Sequence, residues 1–311
     1  MGPERPPHVV SNPQETADEA ARAFRSPVQI DVSGLSHRGN VRERNEDHFL
    51  VIRIGRYLET VLGNLPPGDV PDRVEEAGYA MIVADGMGGH ARGELASRMA
   101  ITGLVKLVLE MPGWIFRLDE TSAADATARS KRRLQRLNAM LLEHSYSDPD
   151  FFGMGTTLTA VRNLGRHLQI VHVGDSRAYL CRGNRLHRLT RDHTYVQLLL
   201  DSGHLSEEEA ARFGKRHVLI NVLGGSDEDV EVDVDQLELE NGDRMLLCSD
   251  GLTDCVDDDT IRRVLVECGQ SAQACQRLID LALDGGGRDN ITAIVAGYTF
   301  SDIPAGTGGE P

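Results

Sequence analysis

The sequence predicts an α+β fold in which several buried strands carry acids to their ends. Three apolar runs stop abruptly on an aspartate: Met81–Ala84 on Asp85, Ile170–Gly174 on Asp175 and Met245–Ser249 on Asp250. A fourth acid, Asp289, lies in Gly285-Gly286-Gly287-Arg288-Asp289-Asn290, just before the apolar run Ile291–Val295. Short apolar runs flanked by Gly read as buried strands. Runs of neighbouring strands together with grouped helices favour α+β layering over strict βαβ alternation.

The elements follow in order. Residues 29–34 and 49–54 read as strands around a loop rich in Arg, Asn, Glu and Asp. Residues 55–78 contain Pro66-Pro67-Gly68 and Pro71, so an exposed insertion between two strands is expected there. Residues 94–111 place apolar side chains at 96, 100, 101, 104, 107, 108 and 111, a helical spacing. A second long helix is expected over 123–143. It carries the basic cluster Arg129-Ser130-Lys131-Arg132-Arg133, a solvated face in the first instance. Strands follow over 156–162, 168–173 and 178–181, and Arg182-Gly183-Asn184 turns a hairpin into 186–189. Residues 194–222 have helical character; 230–239 and 244–248 return to strand. Helices over 260–267 and 271–284 precede a last strand over 291–298.

One domain over 28–300 is expected. Residues 1–27, rich in Pro and polar residues, read as a disordered extension, and 301–311 as a flexible tail. An apolar content of 40% suffices for a large core, and with 5% aromatics that core is aliphatic. The net charge of −15 argues against a nucleic-acid or anionic-membrane surface. No run approaches 18 apolar residues and Met1–Pro13 lacks a secretory pattern, so a cytoplasmic protein, expected to be a monomer, is indicated. Cys181, Cys248, Cys255, Cys268 and Cys275 form no C-x-x-C pair or zinc-like cluster and read as free thiols.

Taken singly, Asp85-Gly86 or Asp250-Gly251 reads as a turn. Repetition at strand ends points instead to a shared site. Crowded carboxylates repel, so such a site needs a hard cation or a shared proton. Oxygen-only ligands favour Mg²⁺ or Mn²⁺ over zinc. Other phosphate-cleaving chemistries lack their signatures. No Cys is followed six residues later by Arg, and no Asp-x-Asp-x-Thr/Val element offers an aspartyl-phosphate nucleophile.

In order, the chain reads Arg42-Glu43-Arg44-Asn45-Glu46-Asp47, Asp85-Gly86-Met87-Gly88-Gly89-His90, Gly153-Met154-Gly155-Thr156-Thr157, Gly174-Asp175-Ser176-Arg177, Ser249-Asp250-Gly251-Leu252 and Gly286-Gly287-Arg288-Asp289-Asn290-Ile291-Thr292. This ordered series resembles the protein phosphatase 2C (PP2C, PPM) family of metal-dependent protein Ser/Thr phosphatases, in its bacterial branch, over about residues 30–299.

The resemblance implies a four-layer α/β/β/α sandwich with two central antiparallel sheets and a metal cluster at one end. It makes Asp85 the carboxylate bridging two ions and puts the Gly86 carbonyl on the second. Asp250 and Asp289 become the remaining ligands of the first ion, and Glu46 and Asp47 hold metal-bound waters. Asp175, with Asp250, matches a third, weaker ion site, and Arg42 clamps the substrate phosphate. The cofactors implied are Mn²⁺ or Mg²⁺. The reaction implied is hydrolysis of phosphoserine or phosphothreonine by a metal-bridging water, with no phosphoenzyme. Phosphorylated proteins, Ser/Thr kinases and their targets, are the implied partners.

Two alternatives stand beside this: a catalytically silent phosphoprotein-binding module of the same fold, or a phosphatase dedicated to one regulatory partner such as an anti-sigma-factor antagonist. The first is weakened because Asp85, Asp250 and Asp289 are all present. Met87 stands where eukaryotic members place a His that serves as a candidate general acid, and it has no proton to donate. His90 is the nearest substitute, though a structural role is expected for it. Residues 192–226 match a flap-like segment beside the active site, hinged near Gly203 and Gly214; its His193 and His217 are expected to be structural.

Overall fold

In the computed structural model, which describes residues 28–66, 69–70, 72–89, 91–110, 123–214, 217–226 and 229–300, two antiparallel sheets stack face to face. The elements are β1 (Val28–His37), β2 (Asp47–Glu59), β3 (Arg73–Met87), α1 (Ala91–Leu109), α2 (Ala123–Ser147), β4 (Gly155–Thr156), β5 (Leu158–Leu164), β6 (His167–Val173), β7 (Arg177–Arg182) and β8 (Arg185–Arg188). Then come α3 (Tyr195–Asp201), α4 (Glu207–Ala211), β9 (Leu223–Gly224), β10 (Asp233–Glu238), β11 (Arg244–Cys248), α5 (Asp250–Thr253), α6 (Asp258–Glu267), α7 (Ser271–Asp284) and β12 (Ile291–Phe300). One sheet runs β1-β12-β11-β7-β8; the other runs β10-β6-β5-β3-β4-β9, with β2 on β3.

Side-chain alternation along each strand divides the apolar residues into three layers. Met81 and Val83 of β3 pack between the sheets with Met245 and Leu247 of β11 and Ile294, Ala296 and Tyr298 of β12. Their neighbours Ile82 and Ala84 face α1 and α2. Leu246, Cys248, Ala293 and Val295 face α6 and α7. The result is the α/β/β/α sandwich implied by the resemblance. It also explains why these strands read as unbroken apolar runs although the sheets are antiparallel: helices cover the face that is usually left to water.

The expected insertion at 55–78 is narrower than that. The β2–β3 ladder continues to Glu59↔Arg73, because the prolines that would end it are confined to the tip beyond. Among the described residues, 194–222 are helical only over α3 and α4; α4 begins with a capping box between Ser206 and Glu209. The chain then extends, pairing Thr194 with Leu219 and β9 with β4. The basic cluster on α2 is not wholly solvated. Ser130 is buried and donates to Gln169 Oε1, and burial beside Arg162 lowers the pKa of Arg133. All five cysteines are free thiols. No described helix is long and apolar enough to cross a membrane. The expected extension over 1–27, the tail over 301–311 and His90 lie outside the described residues.

Leu247 is fully buried between the sheets. Leu247→Ala should lower stability by about 2–5 kcal/mol through lost burial and a residual cavity. Chemical denaturation measures this; a loss below about 1 kcal/mol would show that the inter-sheet layer collapses to fill the gap.

Candidate metal centre

The alternation that builds the inter-sheet core also builds the site. Continuing the inward set Met81, Val83 by two residues reaches Asp85; continuing Met245, Leu247 reaches Ser249, one residue before Asp250. On β12 the inward set Tyr298, Ala296, Ile294 ends at Thr292. Asp47 sits directly opposite Asp85 in the β2–β3 register. At one end of the sandwich the filling between the sheets thus changes from aliphatic to acid and hydroxyl.

Asp47 joins the two sheets there. Its Oδ2 accepts from Ser249 Oγ and from Thr292 Oγ1, each at 2.7 Å. Ser249 Oγ in turn accepts from the Thr292 amide at 2.9 Å. The other oxygen, Oδ1, is buried and has no hydrogen-bond partner. Burial pushes the Asp47 carboxyl up to about 7, aided by Asp250 and Asp289 and opposed by the two hydroxyls.

Asp85 is held through its backbone: its amide donates to Thr157 Oγ1 at 3.0 Å, and its carbonyl accepts from the Thr157 amide and from Thr156 Oγ1. Its carboxyl is driven well above the ordinary carboxylate range by burial and then by Asp47, Asp250, Asp175 and Asp289. Gly86 packs against the first turn of α1 so closely that an added Cβ would lie 2.0 Å from the Gly93 carbonyl oxygen. Its glycine therefore serves backbone packing. Gly88 and Gly89 are glycine for another reason, φ angles of 113° and 74°.

Gly93 in turn leaves room for Glu46, whose Oε2 lies 2.2 Å from where a Cβ at 93 would stand. Asn290 fixes the Glu46 loop: its Oδ1 accepts from the Glu46 amide at 2.7 Å, and its Nδ2 donates to the carbonyls of Arg38 and Arg44. Arg42 reaches across to donate to Asp289 Oδ2 at 2.6 Å. Its side chain is 54% exposed, so the guanidinium borders both the acids and solvent.

Asp175 is buried, contrary to a surface turn, and its carboxyl is raised by burial and by Asp250 and Asp192, against Arg177. Arg177 forks onto Asp192 through Nε and Nη2. The neighbouring peptide is clamped by His193: the Gly174 amide donates to His193 Nδ1, and the His193 amide donates to the Gly174 carbonyl. His193 Nε2 meets Asp233 Oδ2 at 3.1 Å, the structural role expected of it. His217 lies elsewhere, with Nδ1 3.7 Å from Asp250 Oδ2.

The residues fit a cluster of hard divalent ions. Asp47, Asp85, Asp175, Asp250 and Asp289 act on one another electrostatically, opposed by Arg42 beside Asp289 and by Arg177 beside Asp175. Asp250 Oδ1, like Asp47 Oδ1, is buried with no hydrogen-bond partner. Orphaned carboxylate oxygens of this kind are what oxygen ligands of Mg²⁺ or Mn²⁺ look like without the charge they answer. The sequence reading brought all eight named residues to this end of the sandwich but overlooked the supports Ser249, Thr292, Thr157, Asn290 and Gly93. The first four lie inside the motifs, where strand alternation was the signal available for Ser249 and Thr292.

The sandwich and its acid-lined end are those of a metal-dependent phosphatase fold. The profile of the family described as Protein phosphatase 2C matches residues 69–282, and the chain belongs to that family. It is 42% identical over 225 residues to the serine/threonine protein phosphatase PstP of Mycobacterium tuberculosis; the match covers 72% of this chain and 41% of that protein, less than half its length. It is 35% identical over 215 residues to the serine/threonine phosphatase stp of Listeria welshimeri, covering 69% of this chain and 82% of the other. A crystal structure of the PstP catalytic domain in complex with two manganese ions superimposes with a TM-score of 0.67 at 37% identity, covering 88% of this chain and 99% of that one.

The raised Asp47 pKa carries a sign. Between the ordinary value of 3.8 and about 7, the folded metal-free protein keeps a proton that the unfolded chain has lost. Stability from this group is therefore present at low pH and drains away as pH rises through that window. Asp47→Asn removes the titration. In EDTA, the melting temperature of Asp47→Asn should gain on the wild type as pH rises from about 4 to 7. A difference that stays flat or shrinks would show that Asp47 carries its charge without cost.

Proposed function

We propose that this chain is an active, metal-dependent protein serine/threonine phosphatase. The observation that carries the proposal is the convergence of five aspartates, two of them buried and three partly buried, two with orphaned oxygens, beside a half-exposed arginine. A silent binding module would have no need to retain the electrostatic cost of all five. When bound, a pair of Mn²⁺ or Mg²⁺ ions polarises a phosphoryl group and lowers the pKa of a water from 15.7 to about 7. Asp85 would be shared between the two ions, with the Gly86 carbonyl on the second and Asp250 and Asp289 on the first. Glu46 and Asp47 would orient waters around them, and Asp175 with Asp250 would hold a third, weaker ion.

The protein's own contribution is order and charge. Ser249 and Thr292 hold one Asp47 oxygen and leave the other for a metal-bound water. Arg42 offers paired donors suited to phosphate oxygens, and its present bond to Asp289 puts it where a bound phosphate would meet both arginine and metal. The Met87 side chain lacks an ionisable proton, so the leaving alkoxide takes its proton from another group. Phosphorylated proteins are the substrates of this reading, with Ser/Thr kinases and their targets the proposed partners and the cytoplasm the proposed location.

Hydrolysis of a phosphothreonine peptide should require Mn²⁺ and stop in EDTA. Asp85→Asn should abolish it while preserving the circular dichroism spectrum; full turnover with unchanged metal content would sink the assignment. Arg42→Ala should raise KM by roughly 10- to 150-fold, the loss of about 1.5–3 kcal/mol from a charge-assisted pair. A larger Mn²⁺ requirement at unchanged KM would instead make Arg42 a support for Asp289. Asp175→Ala should keep two tightly bound ions and lose most activity, whereas a turn residue would cost only about 1 kcal/mol of stability.

A further inference from the structure

Between the first half of α2 and the helix-covered face of the larger sheet, three arginines meet. Arg129 and Arg133 stand four residues apart on α2 and so lie side by side on one face of the helix, next to Ser130. The Ser130 hydroxyl donates to Gln169 Oε1 of β6 at 3.3 Å, which fixes that turn of α2 over the sheet. Gln169 is the cross-strand partner of Arg162 on β5, and the side chains of such a pair emerge on one face as neighbours. The third arginine therefore rises from the sheet beside the other two. Their charges act on one another. The pKa of Arg133 is lowered by burial, then by Arg162 and Arg129. Neighbouring protein around the Arg162 guanidinium lowers its pKa as well, and Arg129 lowers it further, although the residue opens to solvent. Gln169 adds a donor to the group: its Nε2 is buried and has no hydrogen-bond partner among the described residues. A guanidinium carries five N–H donors and no acceptor, so three of them hold donors to spare beside whatever other bonds they make.

We propose that Arg129, Arg133 and Arg162, with the Gln169 amide, form a binding site for a phosphoryl oxyanion, separate from the metal centre. Each guanidinium presents its donors in a fork that matches phosphate oxygens. A carboxylate has two oxygens for such forks, whereas a phosphoryl group offers three and carries up to two charges. That charge answers the mutual repulsion of the arginines, as divalent cations answer that of the aspartates. The two sites are well apart. Ala80, the β3 residue paired with Arg162, lies five residues before Asp85, about 16 Å at roughly 3.3 Å per residue. An odd separation also puts the two positions on opposite faces of the sheet. A phosphoryl group held by the arginines is therefore a second one, not the group at the metals. Inorganic phosphate and a phosphoryl group on a polypeptide present the same oxygens to this site. The net charge of −15 opposes binding of anions in general, so an anion retained here reports the local grouping of arginines.

Independence from metal is the distinguishing property. The full chain dialysed against radiolabelled inorganic phosphate should bind one equivalent in EDTA, and keep it in Mg²⁺ beside any phosphate that the loaded metal centre takes. Arg162→Gln and Arg133→Gln, changes on two different elements, should each weaken the metal-independent binding about tenfold or more, as losing a hydrogen bond to a charged group implies, with circular dichroism spectra unchanged. Lys131→Gln removes an exposed charge from another face of the same helix and should leave binding as it is. A phosphothreonine peptide, added in EDTA so that it is not hydrolysed, separates the two sources. Binding of phosphate without the peptide assigns the site to the free ion; binding of the peptide assigns it to a phosphoprotein. Failure of both ligands to bind, binding that survives both arginine changes, or an equal loss in Lys131→Gln overturns the site and returns the cluster to a solvated basic face. Turnover does not enter these measurements, so such a result leaves the phosphatase reading intact.

Discussion

Mutual repulsion among crowded carboxylates is the constraint from which the rest of this structure follows. Asp47, Asp85, Asp175, Asp250 and Asp289 are drawn from both sheets, and burial together with their mutual repulsion pushes the carboxyls of Asp47, Asp85 and Asp175 above the ordinary carboxylate range. Nothing in the folding of an aliphatic sandwich calls for this. The surroundings restrain rather than relieve it: two hydroxyls on Asp47, two threonines on the Asp85 backbone, and a histidine clamp before Asp175. Such preorganisation leaves the site unfavourable alone and favourable with cations, the arrangement expected of a metal centre.

Much of this was legible in the sequence, and the legible part has a common cause. Asp85, Asp175 and Asp250 were visible because an apolar run stops on each, and a strand buried on both faces leaves no other place for a charge. The α+β class followed from the order of elements, and the layered sandwich from the resemblance, which the three core layers bear out. Less legible was whatever depends on register. That Asp47 faces Asp85 is a property of the β2–β3 pairing, and single-residue slippage would have sent it to the helix side.

The remaining differences also have physical reasons. Prolines marked the tip of the β2–β3 hairpin correctly, but local composition does not say how far a ladder continues beyond its turn. The glycines after Asp85 looked like one motif with one purpose and turn out to have two: close backbone packing at Gly86 and left-handed conformation at Gly88 and Gly89. That His217 lies beside Asp250 and Asp254 was not legible either, because those neighbours are more than thirty positions away in sequence and no spacing rule reaches that far.

The ligands reach the centre from opposite sheets, Asp47 and Asp85 from one, Asp250 and Asp289 from the other. The gap between those sheets is filled by Met81, Val83, Leu247 and Ile294, and stacked sheets stand about 10 Å apart because of such side chains. Aliphatic volume therefore acts as a shim that calibrates distances between oxygens far from it. A methylene gained or lost in the middle of the sandwich is transmitted, through stiff strands, to the spacing of an acid cluster it never touches. In this architecture the oily interior belongs to the metal centre as a gauge.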